Sequence, residues 1–474
     1  MTLVPTLRSP CTGTAWMRSA LVCLALLGAL SCGGTVSDPP PFIRAQLVPP
    51  YTPGVTAYGL AEASISTPLE VSATELGLPP GYTRAFFPGG SNLMQLNDLS
   101  TPFNIIIQGN GEPGEMLTVT PTPPDIPAYT VSNAGGVSPG LIYTASFNPA
   151  GTLSYNYIFD ANGELHYFKR LNNTSTNFQK LTYQDGQQRY AYICDAIIYL
   201  MDLNFNIIRS YSYLPTSTHG KLGIDLHDFI FFDDDHYVVG SALPTTVDTT
   251  AYGGKSGSVV DATLIQEVQN GQVLWEWNSA DYPQFYATHT DGGSYLDSSM
   301  ASPADYMHWN SITQDPADNS YILSFRNQDA IIKILPYAAS SNNGVIPIKW
   351  ILGGGNQTIA SNFTFYHQHM PRIVSRDGNV VTLSIFNDNN GHYATAPSNV
   401  IVADIDESSL AATLDDQFLG PGDAVALGSV QVFAPRHYFI DWGTVPIINE
   451  VVDGQTIFTM NFPGQFIYRA FKIQ

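Results

Sequence analysis

From residue 136 to the C-terminus, short apolar strands and tight turns recur in units of about 40 to 50 residues. Each unit has one apolar strand, a turn, and two further strands around an Asn-Gly or Asp-Gly pair such as Asn162-Gly163 or Asp377-Gly378. Six units can be counted, and β units of this length are typical of propeller blades. The pattern therefore predicts an all-β, six-bladed β-propeller over residues 136–474. The alternative is a row of unrelated hairpins in two sandwiches, which would make the similar spacing accidental.

The chain before these repeats divides into three parts. Arg18 precedes an apolar run that is shorter than the roughly 20 residues of a membrane-spanning helix, so residues 1–31 are predicted to be a signal peptide. The run ends in a lipobox-like sequence, which makes Cys32 the expected lipidated residue at the start of a tether over residues 32–50. Short β-type runs then indicate a small N-terminal β-sandwich domain over residues 51–130. We therefore expect an exported protein, lipid-anchored in the periplasm or at the outer membrane of a bacterium.

Composition narrows the function classes. Charged residues make up only 12% of the chain while Gly, Pro, Tyr and Phe are plentiful, which favours short strands and tight turns over charged helices. The formal net charge of −21 would repel a phosphate backbone, so nucleic-acid binding is not expected. Of the four cysteines, Cys11 and Cys23 leave with the signal peptide. If Cys32 carries lipid, Cys194 has no disulfide partner and is interpreted as a small buried hydrophobe rather than a nucleophile.

Three of the ten histidines occupy the same position in successive units. His227, His308 and His369 each stand just before the first strand of a unit, and in a propeller that strand lines the central channel. Equivalent positions in adjacent blades converge at one mouth of the channel, so we expect three imidazoles around one small space. Each alone is more often a hydrogen-bonded turn residue, and it is the shared register that favours a site. His367 is ambiguous because it lies only two residues from His369.

Arg326 is a fourth candidate site residue. It is predicted to lie within an apolar strand, the next strand of the unit that begins with His308, in a chain with only 19 lysines and arginines. A guanidinium in a dry channel needs an anionic partner. That partner is either an anionic ligand or, alternatively, Asp329 or another acid in a buried salt bridge.

Two segments contain the most specific motifs, Tyr306-Met307-His308-Trp309-Asn310-Ser311 and Ser324-Phe325-Arg326-Asn327-Gln328-Asp329-Ala330. Gln368-His369 and Asp441-Trp442-Gly443 follow them. Together these motifs resemble, in their order, those of the bacterial PAPS-independent arylsulfate sulfotransferases, and the resemblance extends over about residues 51–474. It implies an N-terminal β-sandwich, a six-bladed propeller, and sulfuryl exchange between aryl sulfates and phenols without a nucleotide donor. It implies neither a cofactor nor a metal.

Carried over residue by residue, the resemblance implies that His369 becomes transiently sulfated in a ping-pong reaction. His227, His308, Asn310 and Arg326 match the residues that hold the sulfuryl oxygens and assist the leaving phenolate. The expected partners are a small phenolic sulfate donor and a phenolic acceptor. The oligomeric state stays open, with a homodimer among the options.

Two other functions stay open from the sequence. A propeller lipoprotein could hold a sulfated or phenolic ligand in its channel without turning it over. A metal-dependent propeller hydrolase is also considered because the Asp233-Asp234-Asp235 run resembles a ligand set, although such a run at a strand end is more often a solvated turn. Phe325 and Asn327 replace the Ser and His usual beside the family arginine, which leaves the substrate preference open.

Overall fold

The computed structural model describes residues 126–203, 205–291, 303–341, 344–389 and 397–473, together with the backbone of seven short strands farther upstream. The predicted signal peptide and Cys32 lie outside the described residues. In the described part of the chain, no helix has the length and apolar character that a membrane span requires.

The upstream strands are short and pair antiparallel in one three-stranded and two two-stranded sheets. The region predicted as a β-sandwich thus contains β structure, while the packing of its sheets stays a prediction. The seven strands are Ile43–Arg44, Gly59–Leu60, Leu69–Ser72, Tyr82–Phe86, Leu93–Leu96, Phe103–Gly109 and Glu115–Val119.

Residues 130–473 form six sheets of four or five strands, and neighbouring strands within a sheet are mostly joined by hairpins. The first strands of adjacent sheets contact one another, as Trp309–Asp315 and His369–Asp377 do, so these strands line the centre of a ring. This is the six-bladed propeller that the repeats predict.

The first three blades contain four strands each, ordered from the channel outward. They are Phe466–Ile473, Leu141–Phe147, Ser154–Phe159 and Leu165–Leu171; Ser175–Thr182, Gln188–Cys194, Ile197–Met201 and Ile207–Tyr211; and Phe229–Asp233, His236–Val247, Ser258–Gln269 and Gln272–Asn278.

The last three blades contain four, five and five strands. They are Trp309–Asp315, Ser320–Phe325, Ala330–Ile334 and Ile348–Gly353; His369–Asp377, Val380–Asn387, Asn399–Asp406, Ala411–Leu419 and Ala360–Ser361; and Ser429–Ala434, His437–Asp441, Ile447–Val452, Gln455–Asn461 and Thr130–Asn133.

The ring closes with strands from both ends of the propeller. Phe466–Ile473 pairs with Leu141–Phe147 and becomes the innermost strand of the first blade. Thr130–Asn133 pairs with Gln455–Asn461 at the outer edge of the sixth blade, so that blade includes a strand upstream of residue 136. Counting units along the chain assigns the last strand to the sixth unit, whereas its pairing places it in the first blade. Closure therefore brings the C-terminal strand into the channel.

The hydrophobic core lies in six layers between neighbouring blades. Alternation along a strand explains this, because successive side chains point to opposite faces of a sheet. In Ser320–Phe325, Tyr321 and Leu323 pack toward the third blade, while Ile322 packs toward the fifth. Each blade thus buries both of its faces against its neighbours.

Five short 3₁₀ helices are described in the connections, at Thr250–Tyr252, Ser279–Asp281, Pro283–Ala287, Arg326–Gln328 and Pro336–Ser341.

Gly240 permits one close contact that matters for the channel. A Cβ atom there would lie 2.1 Å from the ring of Trp309, so this position has room only for glycine. The packing fixes Trp309 and with it the start of the fourth blade's inner strand.

Candidate active site

The three histidines that share a register lie together at one mouth of the channel. The ring centroids of His227 and His308 are 5.1 Å apart, and those of His227 and His369 are 6.1 Å apart. Tyr468 lies beside them, with its ring centroid 5.7 Å from that of His369. The spatial grouping expected from the repeats is thus present. We call His227, His308 and His369 the histidine cluster.

Two members of the cluster are held by carboxylates from their own loops. Asp225 accepts hydrogen bonds from the backbone N–H of His227 at 2.9 Å and from its ring Nδ1 at 2.7 Å. Asp305 does the same for His308, at 3.0 Å and 2.5 Å. His308 needs this support because its φ of 52° lies in the left-handed region, which is unfavourable for a residue with a side chain. Each carboxylate fixes both the loop and the orientation of the ring.

His369 is held differently, by a backbone carbonyl. Its Nδ1 lies 2.6 Å from the carbonyl oxygen of Gly428. Gly428 has a φ of 87°, and a Cβ atom there would lie 2.5 Å from the ring of Phe386. A carbonyl can only accept, so Nδ1 of His369 carries the hydrogen and the neutral ring has its lone pair on Nε2. This Nε2 is buried and has no hydrogen-bond partner among the described residues.

The electrostatic environment keeps His369 neutral. Burial lowers its pKa well below the ordinary value, and the nearby charge of Arg469 lowers it further. Burial also lowers the pKa of His227, although Asp225 opposes this shift. The buried imidazole of His369 is therefore uncharged at physiological pH.

A pair of arginines lies beside the histidine cluster, with Arg469 buried and the side chain of Arg372 25% exposed. Arg469 and Arg372 both bind the carboxylate of Asp228, at 3.1 Å and 2.7 Å. Arg469 also donates to the backbone carbonyl of Asn310 at 2.6 Å and to the side chain of Asn177 at 3.2 Å. Burial alone would raise the pKa of Asp228, but the two guanidinium groups hold it below its ordinary value. Two cations thus share one anion.

Asn310 lies at the base of this cluster. Its amide nitrogen donates to the carbonyl of Gln368 at 2.7 Å, which fixes the residue directly before His369. Its Oδ1 is buried without a hydrogen-bond partner among the described residues. The side chain predicted to bind substrate therefore also supports the backbone of the proposed nucleophile.

Arg326 follows its strand rather than lying within it. It begins the 3₁₀ helix Arg326–Gln328, and its backbone N–H donates to the carbonyl of His308 at 2.9 Å. Its guanidinium pairs with Asp291 at 2.8 Å rather than with Asp329, the acid named as an alternative partner. Asp329 instead accepts from the backbone N–H of His367 at 2.7 Å. Arg326 is therefore next to the cluster, with an acid already beside its charge.

Two buried acids also lie at the channel mouth. Both oxygens of Asp388 and one oxygen of Asp441 lack hydrogen-bond partners among the described residues. Burial raises the pKa of each carboxyl group well above its ordinary value. Burial therefore favours the protonated, uncharged form of both side chains.

Sequence reasoning missed several parts of this site. Asp225 and Asp305 had a local signal, because each lies two or three residues before a cluster histidine. Arg469 had the same signal as Arg326, a rare cation in an apolar strand. Gly428 had no usable signal, since only its backbone carbonyl takes part.

The Asp233-Asp234-Asp235 run begins at the last residue of the strand Phe229–Asp233 and continues into the turn before the next strand of the third blade. Asp234 pairs with Arg189 at 2.8 Å, and Asp235 pairs with Arg209 at 2.5 Å. The interpretation of this run as a turn therefore fits the structure.

Cys194 is a buried free thiol, and burial raises its pKa to about 12, as expected for a packing residue.

One group of acids in the described part of the chain has oxygens close enough to share a metal ion, namely Asp315, Asp318 and Glu407. The Nζ of Lys333 already lies 2.6 Å from Asp315 and 2.6 Å from Glu407. This group is therefore neutralised by protein cations, and it lies at the opposite end of the inner strands from the histidine cluster.

The fold and the cluster together define a β-propeller with a histidine-lined, cation-rich channel mouth. The arylsulfotransferase (ASST) family matches residues 180–463, well over half of the chain. The chain belongs to this family, which supports sulfuryl transfer as its general chemistry. No curated protein matches the chain.

Solved structures resemble the chain only loosely. A protein of unknown function from Bacteroides caccae is 10% identical, with 70% of this chain and 98% of that chain covered and a TM-score of 0.39. A putative 6-phosphogluconolactonase from Bacteroides fragilis is 10% identical, with 93% and 100% covered and a TM-score of 0.34. Apo AztD from Citrobacter koseri is 10% identical, with 71% and 98% covered and a TM-score of 0.32. These similarities carry no argument about function.

Proposed function

We propose that this protein transfers a sulfuryl group from a phenolic sulfate ester to a phenol in two steps, through a sulfated His369. The observation that carries the proposal is the state of the His369 ring. Its Nδ1 hydrogen is committed to the Gly428 carbonyl, and its Nε2 is buried without a partner among the described residues. A neutral imidazole with an available lone pair is a competent nucleophile.

The first step forms a bond between His369 Nε2 and sulfur as the bond from sulfur to the phenolic oxygen breaks. In the second step the phenolate of the acceptor attacks the same sulfur, and the bond from sulfur to Nε2 breaks. Covalent catalysis of this kind divides one difficult transfer into two easier ones. The hydrogen bond from Nδ1 to Gly428 supports the intermediate, because sulfation at Nε2 leaves positive charge on the ring.

The charge of the sulfuryl group has a complement in the arginine pair. An aryl sulfate has one negative charge, and Asp228 alone cannot neutralise both Arg372 and Arg469. Fixed cations in a dry site stabilise developing charge more than they could in water, because the dielectric is low and no solvent has to reorganise. We assign Arg469 to this electrostatic role. Arg326 and Asn310 remain candidates for direct contact with the sulfuryl oxygens.

The test is the variant His369→Asn with a chromogenic aryl sulfate, assayed with and without added phenol. Removal of a nucleophile is expected to lower phenol-dependent turnover by at least about 10³-fold. His367→Asn, two residues away, is the matched control and should retain most of the activity. Wild-type protein denatured at alkaline pH, where the N–S bond survives, should carry sulfate from a radiolabelled donor, whereas His369→Asn should not.

An unchanged rate in His369→Asn would remove His369 as the nucleophile. A wild-type protein that binds aryl sulfate without turnover would instead support a propeller lipoprotein that holds its ligand without catalysis.

A further inference from the structure

The residue after His369 has a backbone conformation that its type disfavours. Met370 has a φ of 47°, in the left-handed region, and it precedes Pro371, although a residue before proline favours an extended conformation. Met370 and Pro371 together lie opposite the single residue Ile385, so the strand His369–Asp377 has a β-bulge directly after its first residue. Strain of this kind persists only where the surrounding structure imposes it.

The groups that hold Met370 lie on the other side of the channel. Met370 is 2% exposed and packs in a hydrophobic cluster whose other buried members all belong to the first and second blades. Two of these members, Phe178 and Phe471, lie on the inner strands of those blades. The fifth blade, which contains Met370, packs against the fourth and sixth blades. The bulge therefore turns the side chain of Met370 out of the layers beside its own blade and across the channel.

This packing holds the peptide that contains the proposed nucleophile. Before His369, the backbone carbonyl of Gln368 accepts from Asn310, and the side-chain amide of Gln368 donates to the fourth blade. After His369, the side chain of Met370 holds the chain from the opposite side. With both neighbours held, the ring of His369 lies where its Nδ1 is 2.6 Å from the carbonyl oxygen of Gly428.

We propose that Met370 is a positioning residue for His369. Its side chain, packed across the channel, keeps the ring in the orientation and tautomer in which Nδ1 carries the hydrogen and Nε2 has the available lone pair. The effect on activity rests on the proposed sulfuryl transfer through His369. The sequence has no local signal for this role, because the residues that surround Met370 belong to strands far away along the chain.

The test begins with Met370→Gly in the full chain. Glycine adopts a positive φ without strain, so this variant removes the side chain and leaves the backbone free to keep its conformation. Misplacement of a reacting group by about 1 Å costs about 10²-fold in rate, and Met370→Gly should lower kcat/KM for an aryl sulfate by about that factor. Met370→Leu has a side chain of similar volume and should retain most of the activity.

Met201→Ala is the matched control. Met201 is fully buried in the same hydrophobic cluster, but it lies on the third strand of the second blade, away from the channel. Its truncation should lower the melting temperature, as loss of a buried methionine does, and leave kcat/KM per folded molecule unchanged.

Nitrogen NMR of protein labelled at histidine reports the tautomer of the ring without any turnover. The signal of His369, identified by its absence in His369→Asn, should show hydrogen on Nδ1 alone in wild type and in Met370→Leu. In Met370→Gly it should show both tautomers, because the ring is no longer held against the Gly428 carbonyl.

A pure Nδ1–H tautomer in Met370→Gly would overturn the assignment. So would a loss of activity in Met201→Ala equal to that in Met370→Gly, since the cluster as a whole would then be responsible. Failure of the proposed function gives a different result: wild-type protein would carry no sulfate from a radiolabelled donor, while the tautomer comparison would still decide the role of Met370.

Discussion

The two ends of the same inner strands contain buried polar groups that are satisfied very differently. His308 directly precedes Trp309–Asp315, and His369 begins His369–Asp377. At the far ends of these strands, about 20 Å away by strand geometry, lies a group of six charged side chains that we call the clasp. Its members are Asp315, Asp318, Lys333, Lys349, Arg376 and Glu407.

The clasp has three acids and three bases, and each member has an opposite charge within reach. Its central ammonium, Lys333, is completely buried between Asp315 and Glu407. At the histidine end, by contrast, His369, Asn310, Asp388 and Arg469 each have a buried polar atom without a partner among the described residues. Unpaired buried polar atoms cost free energy, so their concentration at one end of the channel indicates a place for a ligand. The paired end stabilises the junction of two blades.

The largest expected effect on folding comes from breaking the clasp. Lys333→Met leaves the buried carboxylate of Asp315 with Arg376 as its remaining basic partner, and loss of one member of a buried ion pair costs about 3 to 5 kcal/mol. We expect the free energy of unfolding to fall by about that amount. Chemical denaturation followed by tryptophan fluorescence measures it. Turnover per folded molecule should stay unchanged.

Lys349→Met is the matched control, since this lysine belongs to the same group but is 31% exposed. It should cost no more than about 1 kcal/mol, as exposed ion pairs do. Equal losses in the two variants would contradict the view that burial gives the clasp its importance.

The next largest expected effect is on activity and comes from the two arginines beside the histidine cluster. Arg469→Met removes the guanidinium whose charge lowers the pKa of His369, and loss of such a group in a dry site should lower kcat/KM by about 10²- to 10³-fold. Arg372→Met removes a cation from the same carboxylate, Asp228, but the side chain of Arg372 is 25% exposed whereas that of Arg469 is buried. It should lose less than about 10-fold.

A pH profile distinguishes a catalytic effect of Arg469 from a structural one. Burial and Arg469 both lower the pKa of His369, so Arg469→Met should raise this pKa and move the acid limb of kcat/KM to higher pH. A loss of activity with an unchanged acid limb would indicate that Arg469 matters only for packing.

A feature of this protein could be predicted from the sequence when it depends on residues that are close together along the chain. His227, His308 and His369 could be placed together because repeat register alone decides which end of the channel they occupy. The blades could be counted because apolar strands and turns such as Asn162-Gly163 and Asp377-Gly378 are local patterns that recur along the chain. The placement of Arg469 could not be predicted, because its strand meets Asn310 only when the C-terminus closes the ring.

The ion-pair partners of Arg326 and Lys333 could not be predicted for the same reason. Asp291 lies 35 residues before Arg326 in a separate connection, so no local pattern favours it over Asp329 as the partner. The clasp likewise joins Lys333 to Glu407, which is 74 residues away. Side chains whose partner is chosen by blade-to-blade packing have no sequence signal of their own.

The smallest expected effect is on the pH dependence of stability, which should differ in direction between the clasp and the histidine end of the channel. Burial alone would raise the pKa of Glu407, but hydrogen bonds from Lys333, Lys349 and Trp350 lower it to about 2. A lowered pKa stabilises the fold above the unfolded-state pKa, and this contribution is lost as pH falls through the folded-state value. The clasp should therefore weaken in acid.

The contribution of Asp388 to stability changes with pH in the opposite direction to that of Glu407. Its pKa is raised in the folded protein, so its contribution is complete below the unfolded-state pKa and is lost as pH rises through the folded-state value. Across that window one carboxyl group can change stability by at most about 1.4 kcal/mol per pH unit. Asp388→Asn should remove this slope, so its stability relative to wild type should improve from mildly acidic to alkaline pH. Urea denaturation across that range measures it, with the exposed Asp453→Asn as control. Parallel curves for wild type and Asp388→Asn would mean that Asp388 is not held protonated, and the contrast between the two ends would then rest on hydrogen bonding alone.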